Sequence, residues 1–146
     1  MLDNYLKGNI RFLERVESWE ESIEVAAQPL LQKGNITPKY IQDMIDNVNK
    51  NGPYIVIVPG IAMPHAQNEG GVVVKTGISL LKLEKPVQYP EGKEVNILIV
   101  LAAEDSSGHL DLISDLSSLL VDDDIMVKFR DANSEEEILS LISECE

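Results

Sequence analysis

Only two histidines occur in this 146-residue sequence, His65 and His109, and each follows an apolar, strand-like run. A neutral imidazole carries a proton on one nitrogen and a lone pair on the other, and a hydrogen bond to the protonated nitrogen fixes the tautomer. A histidine held this way serves as general base, metal ligand or covalent acceptor of a phosphoryl group. His65 lies within Y-I-V-I-V-P-G-I-A-M-P-H-A-Q, from Tyr54 to Gln67. Pro64 fixes its own φ and biases Met63 towards an extended backbone, which leaves His65 little local freedom just past a strand. Read from the residues alone, His65 is either such a reactive group or a loop histidine in a structural hydrogen bond. His109 is either its companion or an exposed histidine at a helix start.

The elements that must position these side chains follow from periodicity. Tyr54 to Val58 reads as a short buried strand broken by Pro59-Gly60, and Val95 to Ala103 as a central strand buried on both faces. Asn9 to Glu14 and Val72 to Leu83 are further strands, the latter with a bulge near Gly77, and Pro86 to Lys93 is a turn region. Ser18-Trp19-Glu20-Glu21 is a capping box that opens a helix with Pro29 late in it and Gly34 as its stop. Thr37-Pro38 opens a second helix, which ends at Asn51-Gly52-Pro53. Gln67 to Gly71 is polar and glycine-rich, hence a mobile loop. Asp105, Ser106 and Ser107 are each competent to cap the helix marked by Leu110, Ile113, Leu116 and Leu119, and capping is the simpler role for both serines. His109 then falls in a first turn, where unpaired N–H groups and the positive dipole end favour phosphate. Asp122-Asp123-Asp124 fits the acidic first turn of another helix better than a metal site, since adjacent side chains diverge. Ser134-Glu135-Glu136-Glu137 caps a closing helix. Strands interleaved with helices predict a three-layer α/β/α sandwich around a mixed sheet of about four to five strands, residues 1–146 forming one domain.

Composition narrows the function. A net charge of −13 argues against nucleic acid, which requires clustered Lys and Arg, and fits a partner with a basic surface. The sequence shows no signal-like apolar segment at its start and no run approaching a membrane span. The lone cysteine, Cys145, gives no sign of an oxidising compartment, so cytoplasm is the expected location. No metal-ligand spacing is visible, and a metal-dependent hydrolase built on His65, His109 and nearby carboxylates would need one.

The ordered segments G-I-A-M-P-H, K-T-G-I-S-L-L-K-L and A-A-E-D-S-S-G-H-L, with the helices around them, resemble the enzyme IIA domains of the sugar phosphotransferase system. The resemblance is to the fructose–mannitol superfamily, most of all to its ascorbate-type branch, and covers essentially the whole chain. It implies the mannitol-type enzyme IIA fold and a phosphotransferase with no cofactor. His65 would take a phosphoryl group from the phosphocarrier protein HPr and pass it to a cysteine of an enzyme IIB, the membrane being reached only through the IIC component. His109 would support the transferred group, with Ser106, Ser107 and Gln67 as candidate phosphate contacts. The implied sugar is ascorbate or a pentitol, and the rival reading is a nitrogen-type regulatory relative that signals by phosphorylation state. Ascorbate-type relatives often carry arginine two residues after the histidine; here that residue is Gln67, which leaves Lys75 or a partner arginine to supply a cation.

Overall fold

The computed structural model describes residues 2–145. In chain order the elements are α1 (Leu2–Leu6), β1 (Ile10–Leu13), α2 (Trp19–Gln32), α3 (Pro38–Asn51), β2 (Val56–Val58), β3 (Gly60–Ala62), β4 (Gly77–Tyr89), β5 (Lys93–Ala102), α4 (Ser106–Leu120), α5 (Asp123–Asp131) and α6 (Glu135–Cys145). The strands form one mixed sheet in the order β1-β4-β5-β3-β2. β1 runs parallel to β4 and β3 parallel to β5, while β4–β5 and β2–β3 are antiparallel.

β5 shows why three layers form. Its side chains alternate between faces: Leu98, Val100 and Ala102 join Ile23, Leu30, Tyr40 and Met44 of α2 and α3. Ile97, Ile99 and Leu101 join Leu112, Leu116, Phe129 and Ile138 of α4, α5 and α6. The expected α/β/α sandwich is therefore present, with five strands.

Local chemistry sets the element ends. Ser18 accepts from the Glu21 N–H at 3.1 Å, Asp122 from the N–H groups of Asp124 and Ile125, and Ser134 from that of Glu137. α2 stops in a Schellman arrangement: the Gly34 N–H reaches Leu31 O and the Asn35 N–H reaches Leu30 O, with Gly34 at φ +78°. Across this layer Trp19 packs on Tyr89 with ring centroids 5.5 Å apart, and the Tyr89 hydroxyl lies 2.7 Å from Ser22 Oγ.

Several expectations need correcting. The run from Tyr54 is not a buried strand: turn bonds from Tyr54 N to Gly52 O and Val56 N to Pro53 O use up its start. Only Val56–Val58 remains, as a half-exposed edge strand. Gly60, at φ +86°, turns it into β3, so Ile61-Ala62 is a strand. β4 begins at Gly77 and continues to Tyr89, beyond the expected end at Leu83. Its irregularity lies not at Gly77 but between Lys82 and Val87, and Pro86, which has no N–H to offer a ladder, falls inside it. The turn shrinks to Pro90–Gly92. α1 has no counterpart in the sequence reading; Leu2 and Leu6 are buried against the layer of α4 to α6. Thr37 holds the N-cap position of α3 without a capping bond, its hydroxyl lying 3.4 Å from Val72 O.

Candidate active site

β3 and β5 are parallel neighbours and end on the same side of the sheet, the edge where α/β proteins collect ligands. β3 leads straight into Met63-Pro64-His65-Ala66. The backbone on either side of His65 is fastened to its surroundings. The Met63 N–H donates to Ile55 O at 2.8 Å, and Pro64 O accepts from the Leu101 N–H at 3.0 Å. The Ala66 N–H donates to the hydroxyl of Tyr40 at 3.1 Å. Met63, Pro64 and Ala66 are buried while His65 is half-buried, so the segment is a fixed shelf with one side chain partly in solvent.

The ring is fixed as well. Nδ1 of His65 lies 2.6 Å from the carbonyl oxygen of Met63. A carbonyl only accepts, so Nδ1 carries the proton and Nε2 carries the lone pair. Tyr54 stands edge-on to the imidazole, with centroids 5.6 Å apart and planes at 88°, and its hydroxyl reaches His65 O at 3.4 Å. Burial holds the imidazole pKa below its usual value, against the opposing pull of the Met63 carbonyl. The lowered value favours the neutral ring, whose lone pair is then on Nε2.

His65 opens onto a cleft of about 440 Å³ that Lys39, Asp43, Asn47, Tyr54 and Gln67 also line. Lys39 is paired with Asp43 at 3.0 Å, and Asp46 and Glu69 add negative charge. The loop beyond His65, expected to be mobile, is anchored at Asn68. Its amide donates to Val73 O and Glu104 O, and its oxygen accepts from the Val73 N–H. Glu104 in turn exchanges bonds with Thr76, its N–H to the hydroxyl and its carboxylate from the Thr76 N–H. These contacts bring the His65 loop to the residues that open α4. The cap of α4 is Asp105, which accepts from the Gly108 N–H at 2.7 Å, so neither serine has that role. Among the described residues, no group of three or more His, Cys, Asp or Glu side chains is placed to hold a metal ion.

The sequence profile of the family described as "Phosphoenolpyruvate-dependent sugar phosphotransferase system, EIIA 2" matches residues 5–145. The chain belongs to this enzyme IIA family. Enzyme IIA components are phosphotransferases, and this chain is one of them. The ascorbate-specific EIIA component of Escherichia coli is 36% identical over 137 residues, 92% of this chain and 88% of the relative. The solution structure of the mannitol-specific cryptic enzyme IIA of Escherichia coli superposes with a TM-score of 0.90 at 36% identity, covering 98% of both chains. The complex of enzyme IIA mannitol with phosphorylated enzyme IIB mannitol from the same organism aligns at 28% identity and TM-score 0.80, over 93% of this chain and 94% of that one.

The residues singled out in the sequence of this enzyme IIA fall as follows. Gln67 lines the cleft with His65, whereas Ser107 sits exposed in the first turn of α4. The backbones of Ser106 and His109 lie in that same turn, and their side chains lie outside the described residues, as does that of Cys145. Lys75 is not among the residues lining the cleft; its backbone N–H bonds Asn35 O, and the lysine that lines the cleft is Lys39. Two tyrosines escaped the sequence reading. Tyr40 resembled ordinary core and Tyr54 resembled a strand residue, because a single apolar-period position does not reveal where a hydroxyl ends up.

Proposed function

We propose that this enzyme IIA carries a phosphoryl group on Nε2 of His65. The observation that carries the reading is the 2.6 Å contact from Nδ1 to Met63 O, which puts the lone pair on Nε2 without any base to remove a proton. In the forward step, Nε2 attacks the phosphorus of a phosphohistidine on HPr. The new N–P bond forms at His65 as the donor's N–P bond breaks, and the bonding pair returns to the donor imidazole. In the second step, a cysteine thiolate of an enzyme IIB attacks the same phosphorus and the electron pair returns to Nε2. Such transfers need alignment and charge stabilisation more than proton transfer.

His109 and the first turn of α4 supply that stabilisation, aided by Gln67 and the polar side chains of the cleft, with Ser106 and Ser107 as further donors. The neighbour solved with phosphorylated enzyme IIB supports the choice of acceptor. The acidic rim of Asp43, Asp46 and Glu69 favours partners with basic docking faces. These steps place the protein in the cytoplasm, serving a membrane IIC component. The sugar is of the ascorbate or pentitol class; the ascorbate-specific relative supports this, and the equal identity to the mannitol-type structure makes mannitol the necessary control.

The test is intact-mass analysis after incubation with phosphoenolpyruvate, enzyme I and HPr. One acid-labile phosphoryl adduct, mapped to His65, is expected. No adduct beside an active HPr control would overturn the reading.

A further inference from the structure

Tyr40 is wholly buried, yet its hydroxyl meets three backbone groups. It accepts from the Ala66 N–H at 3.1 Å, lies 2.6 Å from Leu101 O and 3.2 Å from Ala66 O. A hydroxyl has one proton, and the shorter contact identifies Leu101 O as its acceptor. The position of this relay is informative. The last β3–β5 register pair is Ala62 with Leu98, so by Ala66 the chain has left the ladder. The Leu101 N–H still reaches Pro64 O directly. The Leu101 carbonyl and the Ala66 N–H are instead joined through the Tyr40 oxygen, which acts as a one-atom spacer. His65 is thus held on its N-terminal side by a backbone bond to Leu101 and on its C-terminal side by a side chain bonded to the same residue.

We propose that Tyr40 is a positioning residue for the transfer reaction, fixing the tautomer of His65 by clamping the peptide that follows it. The proposal rests on the reading of His65 as phosphoryl acceptor. The Nδ1 contact spans only two residues, to Met63 O, and survives only while the backbone of residues 63–66 keeps one shape. An unconstrained histidine side chain in water favours the proton on Nε2, the form with no lone pair at the transferring nitrogen. A loosened shelf therefore defaults to the unreactive tautomer. Removing the hydroxyl also leaves two buried polar groups without their partner, which the segment can relieve only by moving towards water.

The experiment is Tyr40→Phe in the full chain, read by ¹⁵N chemical shifts of the histidine rings, with His65→Ala identifying the His65 signals. Transfer from phospho-HPr is measured in parallel. We expect a folded protein in which the His65 ring loses its Nδ1–H preference. kcat should fall roughly tenfold to a hundredfold, with KM for phospho-HPr little changed. A purely structural tyrosine would lower the melting temperature and leave the ring shifts as in the wild type; that result overturns the proposal. Should the variant not fold, 4-aminophenylalanine at position 40 decides, because it donates to Leu101 O but accepts poorly from Ala66. The same tautomer shift is expected there, and a wild-type ring overturns the clamp. If wild-type His65 takes no phosphoryl group, the functional reading falls while the ring shifts still test the clamp. If the adduct forms and Tyr40→Phe changes neither ring nor rate, the clamp falls alone.

Discussion

The two ends of the sheet make an instructive pair. Where β3 and β5 finish, the cleft beside His65 measures about 440 Å³; where β2 turns into β3 and β5 begins, a cleft of about 670 Å³ is lined by Ile57, Pro59, Asn96 and Arg130. The larger hollow also holds a guanidinium, but it already serves the fold. Arg130 donates to Pro59 O at 2.8 Å, tying α5 to the turn between β2 and β3. At the His65 end the hydrogen bonds go instead to the backbone around one histidine. Volume does not distinguish the ends; what is held rigid does.

The largest expected difference comes from His65→Ala. It should abolish phosphoryl acceptance in the mass assay while costing only about 1 kcal/mol of stability, the worth of one hydrogen bond from a half-buried side chain. Replacing His109 by Ala should slow transfer by roughly a hundredfold, as loss of one charge-stabilising donor does, while the adduct still forms on long incubation. Time-resolved intact mass separates these two outcomes.

The pH dependence is a gentler probe. His65 has its pKa lowered by burial, so it stays neutral and competent below the ordinary imidazole value of 6.5. Acceptance should hold as pH falls past that value and decline only through the lowered one. Because the folded pKa lies below the unfolded one, its contribution to stability is complete above the unfolded value and is lost as pH falls through the folded value. An NMR titration of the ring showing protonation above its ordinary value would contradict this. At the far end, Gly60→Ala should have the smallest effect on chemistry. Its φ of +86° and the 3.1 Å approach of Asn96 Oδ1 to an added Cβ predict a loss of about 1–2 kcal/mol in denaturant unfolding. The transfer rate per folded molecule should not change, and a collapse of that rate would mean the two ends are coupled.

Much of this arrangement is legible in the sequence. The apolar run of β5 reads as a strand covered on both faces and is one, and the capping residues Ser18 and Ser134 each do what their type and spacing imply, whereas Asp122, read as part of an acidic first turn, is the N-cap before it. Pro64 before His65 correctly marks a constrained backbone. The failures have a common cause, in that long-range pairing overrides local signals. Pro86 looks like a strand breaker, yet it sits where β4 bulges away from β5 and no N–H is required. Val56-Ile57-Val58 looks like core, yet it pairs only with β3 and ends at the sheet edge. Asp105 outcompetes two serines for one cap, a choice settled by geometry at Gly108 rather than by residue type. Tyr40 is the clearest case. Its ring reads as helix core and is core, while its hydroxyl acts on residues 26 and 61 positions away.

That separation in sequence has a bearing on synthesis. The groups that hold His65 come from α3, from the loop itself and from Leu101 in β5, the last strand in the chain. A nascent chain that has emerged only as far as residue 66 carries the imidazole and the tyrosine but not the carbonyl that joins them. Closing the relay waits for a distant strand, so the shape of the His65 segment is completed only when residues far along the chain have folded.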